Sequence, residues 1–299
     1  MARGTPLEDS ARAGSPPTDR VVSIIELLAQ QSEPSSVASI ASRLDLNRAT
    51  VTSILLALER AGWVVRLADR SYTLGPGMLG VAEAVRNALP LPENHTEVLH
   101  DLAHATKCGV SLAMVGTTEM TFVSVVRGVG HIPGGVGVGV RLPLTPPAGA
   151  TVIARRDVAS QQQWLAGAPQ ELRPDFSNLL DQLRRDGVAI FDFGDSNPEV
   201  LGVLGDVAEL LSEHPRRSAL RQRVFETLVS LGGKPYSTAQ LESPEPLAVS
   251  YLSTAVDNAA GHPAYELQLG PLDPSVSAAD RARYIHELRS AAAKLSQHQ

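Results

Sequence analysis

The sequence predicts an α+β protein. A small helical N-terminal domain ends in a hairpin, and a larger C-terminal α/β domain carries a mostly antiparallel sheet. Three observations predict this. The 299 residues exceed the about 100–200 residues of one ordinary domain. Apolar spacing over residues 20–75 reads helix, helix, turn, helix, hairpin. Beyond residue 93, helical and strand patterns mix without the βαβ alternation of a parallel sheet.

Residues 1–18 are rich in Pro, Gly, Ser and Ala. They cannot offset the entropy cost of ordering, so a disordered tail is expected. Asp19 is placed to cap the next segment. There Val21, Ile24, Ile25 and Leu28 follow i, i+3, i+4, i+7 spacing, one face of a helix. Ser35 or Ser36 can cap a second helix, with Val37, Ile40, Ala41 and Leu44 buried. Asp45-Leu46-Asn47 turns the chain, and Asn47 can cap a third helix. That helix buries Val51, Ile54, Leu55 and Leu58 and ends near Ala61-Gly62. Trp63–Leu67 and Ser71–Leu74 alternate as two strands around Ala68-Asp69-Arg70. The order is that of a winged helix-turn-helix, over residues 19–76. Residues 77–92 read as a linker helix broken by Pro90 and Pro92. Its apolar residues Met78, Leu79, Val81, Val85 and Leu89 lie on more than one face. An isolated helix would leave them in water, so pairing between subunits is expected.

In residues 93–299, Glu93–Thr106 reads as a helix, and Cys108–Gly116 and Glu119–Arg127 as strands. Gly128–Gly139 is a glycine-dense loop leading to a strand near Val138–Leu144. Ala148–Arg156 and Pro174–Asp186 are helical, and Val188–Phe193 is a strand. Pro198–Glu213 and Arg216–Leu231 are helical stretches. Ala248–Val256 and Ala264–Gly270 are strands joined at Asn258–Pro263, and Ser277–Ser296 is a closing helix. Aromatics are 4% of the chain, so Val, Leu, Ile and Ala must build the cores.

Composition removes several function classes. The single cysteine, Cys108, excludes an intrachain disulfide and any metal site needing several thiolates. There is no secretory signal and no apolar run of the ~18–20 residues a membrane helix needs, so a cytoplasmic protein is expected. The net charge of −6 argues against a chain that binds nucleic acid over its whole surface. By segment the charge is −1 over residues 1–19, +1 over 20–86 and −6 over 87–299. Arg43–Tyr72 carries +2, so DNA association would be assisted there.

The third helix has the chemistry for this. Its polar face offers Arg48, Thr50, Thr52, Ser53 and Arg60. A recognition helix contacts base edges mainly with its N-terminal residues. Arg can bridge guanine O6 and N7, and Thr or Ser can donate, accept or pack a methyl on thymine. Arg48 and Thr52, four apart, share a face. Arg66, Arg70 and Tyr72 on the hairpin are placed to meet phosphates or the minor groove. The candidate DNA-binding set is Asn47, Arg48, Thr50, Thr52, Ser53, Arg66, Arg70 and Tyr72. The competing reading is a plain helical bundle with a polar solvent face.

Residues Ser36–Val85, SVASIASRLDLNRATVTSILLALERAGWVVRLADRSYTLGPGMLGVAEAV, resemble the DNA-binding half of the IclR family of bacterial transcriptional regulators. The Ala-Thr-Val start of the recognition helix, the Glu-Arg-Ala-Gly turn and the Tyr-Thr-Leu-Gly-Pro wing exit carry the likeness. The second half resembles the family's ligand-sensing domain more loosely, at residues 138–154, 183–193, 248–256 and 264–270. This chain has Gly149-Ala150 where the family has Gly-Lys, and Ser53 where Arg is frequent. It has Glu266 and Gln268 where small hydroxyl residues are common, and against the family its residues 194–243 look like a helical insertion.

The resemblance implies a sequence-specific regulator of double-stranded DNA, a roughly palindromic operator, and a homodimer or dimer of dimers. It also implies a small-molecule effector, with a pocket between sheet and loop. The lining expected on that basis is Ala113, Leu144, Pro147, Ala148, Asp192, Ser250, Glu266 and Gln268. Glu266 and Gln268, two apart on a strand, share a face, and on a pocket wall would suit a ligand with donors. No cofactor is expected. Glu97, His100, His104 and Cys108 have helical spacing, but helical spacing brings histidines together by chance, and no metal is assigned. The chain has no Gly-x-Ser-x-Gly elbow, phosphate-binding Gly-x-x-x-x-Gly-Lys or His-Glu-x-x-His, so it is not read as an enzyme. Two alternatives stay open. One is a regulator whose second half serves only assembly; the other is an enzyme with a degenerate helix-turn-helix.

Overall fold

The computed structural model describes residues 15–29, 31, 33–89, 91–92, 94–126, 137–192 and 233–297. Residues 128–136 of the glycine-dense loop and the two helical stretches expected within 193–232 lie outside the described residues. The chain divides into two compact units at Ala88/Leu89.

The first unit begins with α1 (Pro16–Ala29), α2 (Val37–Leu44) and α3 (Arg48–Arg60). Helix α1 starts at Pro16, inside the expected tail and ahead of the expected cap Asp19. Pro suits a first helical turn, because its missing N–H would have no partner there. Asp19 instead supplies negative charge to that turn. Ser36 caps α2, accepting from Ser39 N at 3.2 Å, and Asp45 ends it in a left-handed conformation, φ +55°. Asn47 caps α3 as expected, its Oδ1 accepting from Ala49 N at 2.8 Å. Ile24, Leu27, Ile40, Val51 and Leu55 are fully buried between these helices.

Strands β1 (Val64–Arg66) and β2 (Tyr72–Leu74) pair antiparallel as the wing. The tip is held by Asp69, whose Oδ1 accepts from Ser71 N at 3.0 Å and Ser71 Oγ at 2.6 Å. Ser35 and Tyr72 exchange backbone hydrogen bonds at 2.9 and 2.8 Å, so the α1–α2 loop adds a third short edge. Helix α4 (Gly77–Ala88) follows in the first unit. Its start is tied down where Gly77 N donates to Gly62 O at 2.8 Å.

The second unit opens with α5 (His95–Thr106), followed by β3 (Gly109–Val115), β4 (Glu119–Val126) and β5 (Arg141–Pro143). Then come α6 (Ala150–Ile153), α7 (Val158–Ala166), α8 (Arg173–Asp186), β6 (Val188–Phe191) and α9 (Thr238–Leu241). The chain ends in β7 (Leu247–Val249), β8 (Tyr251–Asp257), β9 (Pro263–Gly270), β10 (Asp273–Val276) and α10 (Ala278–Gln297). Six strands form one sheet in the order β5-β4-β3-β9-β8-β6, and each pairing is antiparallel.

Strand periodicity sorts the two faces. Leu112, Leu252, Tyr265, Leu267 and Leu269 pack with Leu99 of α5 and Leu288 and Leu295 of α10. Alternate residues, including Ala113, Val115, Phe122, Ala189 and Phe191, pack with α6, Trp164 of α7 and Leu179 and Leu183 of α8. Trp164 Nε1 donates to Ala148 O at 2.8 Å, and its ring meets Phe176 edge-on at 5.8 Å.

Three elements differ from expectation. The single strand expected over Ala248–Val256 is two. At Ser250 the N–H donates to Phe191 O and the carbonyl accepts from Leu272 N, so the chain changes partners. β7 pairs with β10, which the sequence pattern did not reveal, while β8 enters the main sheet. Helix α7 was also missed; Asp157 caps it, accepting from Ser160 N at 2.9 Å. The third is the neck after β6. Asp192 N donates to Lys234 O at 3.1 Å, Lys234 N donates to Asp192 Oδ1 at 2.5 Å, and Phe191 bridges Pro235.

Candidate DNA interface and sensing face

The capped start of α3 presents Arg48, Thr52 and Ser53 to solvent, with Thr50 half-buried. The hydroxyl of Thr52 donates to Arg48 O at 2.8 Å. Its proton is therefore spent within the helix. What it offers outward is a methyl group and acceptor lone pairs. Asn47 Oδ1 is spent on the cap, which leaves its amide nitrogen. Leu56, 48% exposed, continues the stripe four residues beyond Thr52. It lies outside the buried face read from the sequence (Val51, Ile54, Leu55, Leu58) and was left out of the DNA set; its i+4 spacing from Thr52 was the available signal.

On the wing, Arg66 and Arg70 are exposed, and Arg70 holds φ +67° at the tip. Tyr72 does not belong to a surface set. It is 3% exposed and is part of the core with Val51, Leu55 and Val64. Pairing with Arg66 across the hairpin puts both on one face, and the Arg66 guanidinium lies 5.9 Å from the ring centroid. The tyrosine thus supports Arg66 rather than reaching outward.

In the second unit the expected lining residues fall into two groups. Ala113 and Glu266 are direct partners across β3 and β9, and Gln268 lies one repeat along the same face. Leu144, Pro147 and Ala148 are buried in the segment leading to α6. Asp192 and Ser250 sit further along, at the ends of β6 and β7. Asp192 Oδ1 is engaged with the Lys234 backbone.

The face between the groups has a floor of small residues. Ser111, Gln268 and Ser253 stand level on three adjacent strands, with Ala189 beside Ser253. Gly109 and Gly270 pair at the next level of that face. Phe191 and Tyr251 stack at 4.5 Å along one side. Burial pushes the Tyr251 phenol well above its ordinary range, and the Glu266 charge adds to the shift.

Glu266, 1% exposed, is engaged from within. Its Oε2 accepts from Thr151 N at 3.2 Å and Thr151 Oγ1 at 2.7 Å. Its Oε1 accepts from Gln268 Nε2 at 2.9 Å. This corrects the expectation that Glu266 waits for donors on a ligand. Burial raises its carboxyl above the usual range, and these donors pull the other way. Thr151, Ser111 and Ser253 were missed. The two serines alternate with apolar residues on their strands, and that alternation was a usable signal.

Glu97, His100 and His104 are exposed on α5. Cys108 is buried, and its thiol donates to Thr106 O at 3.3 Å. Among the described residues no cluster of three His, Cys, Asp or Glu is placed to hold a metal, and no helix is long and apolar enough to cross a membrane. An open groove of ≈960 Å³ lies between the α6–α7 turn and the end of α8, lined by Arg155, Arg156, Arg184 and Arg185 among others. Three of these arginines are committed: Arg155 to Asp257, Arg156 to the carbonyls of Val115 and Gly116, and Arg184 to Asp181 and Gln161.

Comparison with known proteins agrees with this architecture. Residues 17–68 match the model of the IclR helix-turn-helix domain. No curated protein matches the sequence. Among solved structures, the Thermotoga maritima IclR aligns with a TM-score of 0.60 at 14% identity, covering 94% of this chain and 97% of that one. An IclR homolog from Microbacterium hydrocarbonoxydans, complexed with 4-hydroxybenzoate, aligns at 0.58 and 15% identity, covering 94% and 98%. An IclR regulator from Alicyclobacillus acidocaldarius aligns at 0.56 and 17%, covering 95% and 98%. Residues 17–68 are therefore an IclR-type helix-turn-helix domain, carried on a chain with the fold of the IclR-family transcriptional regulators.

Proposed function

We propose that this chain is a sequence-specific DNA-binding transcriptional regulator whose C-terminal domain senses a small-molecule effector. The observation that carries the reading is the capped start of α3, where Arg48, Thr52 and Ser53 are solvent-facing within an IclR-type helix-turn-helix. In this reading Arg48 takes a guanine edge, Thr52 accepts from a base amino group or packs its methyl on thymine, and Leu56 adds apolar contact. Arg66 and Arg70 hold phosphates and set the register. Asn47 serves mainly by fixing the start of the helix.

The functional unit is a homodimer or a dimer of dimers on a roughly palindromic operator. Support comes from α4, where Leu79 is 66% exposed, Val81 41% and Val85 49%. Such a surface is covered in a stable assembly. The effector reading is supported by the small-residue floor on the α6–α8 face of the sheet. The Microbacterium neighbour, holding 4-hydroxybenzoate, is a precedent for a small molecule on this fold. A ligand would bias the separation of the two recognition helices, by no more than its differential affinity for the two arrangements. The protein is not an enzyme in this reading, and it works in the cytoplasm beside the chromosome.

The test is selection of genomic fragments by the purified protein beside Arg48→Ala/Thr52→Ala. Enrichment of one palindromic site by the wild type alone is the expected result. Equal enrichment by both proteins, or none, refutes base reading by α3.

A further inference from the structure

Helix α3 buries Val51, Leu55 and Leu58 on one face. Opposite them, Ala49, Thr52, Ser53, Leu56, Ala57 and Arg60 recur at i, i+3, i+4, i+7, i+8, i+11, and all are exposed. From Ala49 to Ala57 this outward face is mostly carbon. It carries two alanine methyls and the Leu56 side chain, 48% exposed. Thr52 adds its methyl beside acceptor lone pairs, since its hydroxyl donates to Arg48 O at 2.8 Å. The Ser53 hydroxyl is the remaining polar group. The charges of α3 sit at its two ends, Arg48 at the start and Glu59 and Arg60 in the last turn. A leucine exposed singly needs no explanation. One set among methyls on the outward face of an IclR-type helix-turn-helix does. The major groove offers such a face one carbon partner, the C5 methyl of thymine.

Thr52 and Leu56 stand one helical turn apart, about 6 Å along the axis. Base pairs stack about 3.4 Å apart. The two side chains therefore span less than two base steps. We propose that α3 reads thymine by its methyl group, with Thr52 and Leu56 as the specificity residues, so that each operator half carries two thymines, on either strand, no more than two base pairs apart. The proposal rests on the reading that α3 contacts bases, and narrows it to one kind of base group.

The experiment takes the duplex selected by the full chain and replaces its thymines by deoxyuridine, one position at a time in both halves. Uracil pairs as thymine does and lacks only the C5 methyl. Kd is read by fluorescence anisotropy at one fixed salt concentration. Burying one methyl changes Kd about fourfold, so its loss from both halves should weaken wild-type binding about 15-fold at each of two positions. Thr52→Ser keeps the hydroxyl and its lone pairs but removes the methyl. It should become indifferent to uracil at one of the two positions, and Leu56→Ala at the other. Both residues are exposed, so neither change endangers the fold. A wild-type Kd unmoved at every thymine overturns the proposal, and is also the result expected if another protein covers Leu56. If that duplex still needs Arg48, base reading by α3 stands without it. A variant that keeps the wild-type response at both positions overturns the role given to its residue. If no duplex is selected at all, base reading fails and the proposal falls with it.

Discussion

Gly75→Ala should unfold the winged domain well before the rest of the chain. Gly75 ends the wing and donates its N–H to Trp63 O at 2.7 Å. A Cβ placed there would stand 2.4 Å from Gly62 O and 3.0 Å from Val64 N. Both are backbone atoms, so no side chain can rotate away. Gly75 is not among the residues with positive φ, so alanine carries no conformational strain and the clash alone sets the cost. Relieving it means moving the wing exit off the end of α3. That loosens the Gly75–Trp63 bond and its neighbour from Gly77 N to Gly62 O. Overpacking costs roughly 1–3 kcal/mol, and each hydrogen bond adds about 1 kcal/mol. The sum is about 3–5 kcal/mol. For a domain of roughly 60–100 residues, each kcal/mol moves Tm by ~4–8 °C, so the drop exceeds ~12 °C. Gly80→Ala, in α4, is the control. Nothing lies within 4 Å of its Cβ position, and alanine in a helix interior gains roughly 0.5–1 kcal/mol over glycine. Differential scanning calorimetry of the three proteins resolves the shifts. Movement of both variants in the same direction would refute the argument from backbone contact.

Asn47→Ala removes the α3 cap and should cost about 1 kcal/mol in urea unfolding, while Asn47→Asp keeps most of it. Trp164→Phe keeps the edge contact with Phe176 but leaves Ala148 O without its donor. A loss of about 1–3 kcal/mol should appear in the transition of the second unit. The hydrogen bonds from Ser71 hold the Asp69 carboxyl below its ordinary value. A depressed folded-state pKa stabilises above the unfolded value and is lost as pH falls through the folded one. Exchange protection of the Ser71 amide should therefore fade below about pH 4, and Asp69→Asn should remove that dependence. Leu79→Lys/Val85→Lys on α4 should shift sedimentation toward monomer; an unchanged profile would place the assembly contact elsewhere.

The winged domain was legible because local rules agree there. Apolar spacing, two caps and a turn each point to the same elements, and each can be read within about ten residues. Tyr72 shows the limit, since a tyrosine on a hairpin reads as exposed until the cross-strand pairing puts it over Val51 and Leu55. In the second unit the strands were legible by alternation. Their neighbours were not, because β3 pairs with β9, and neither strand carries a mark of its partner. The division of Ala248–Val256 depends on Phe191 and Leu272, two distant backbone partners of Ser250. Glu266 was correctly placed on the shared face. That its oxygens were already filled depended on Thr151, 115 residues away.

The neck between Asp192 and Lys234 has a consequence for how this fold changes over time. The strand leaves the sheet at Phe191, and the chain rejoins it at Pro235, its direct partner. The two ends of everything between are therefore fixed by sheet atoms, whatever the length in between. Closing such an excursion costs entropy that grows only as the logarithm of its length, about 0.6 kcal/mol per doubling. The sheet is nearly indifferent to the number of residues carried there. This edge is a place where relatives can gain or lose tens of residues without disturbing the register of β6 on β8. Alignments anchored at Phe191 and Pro235 should stay in phase across such changes.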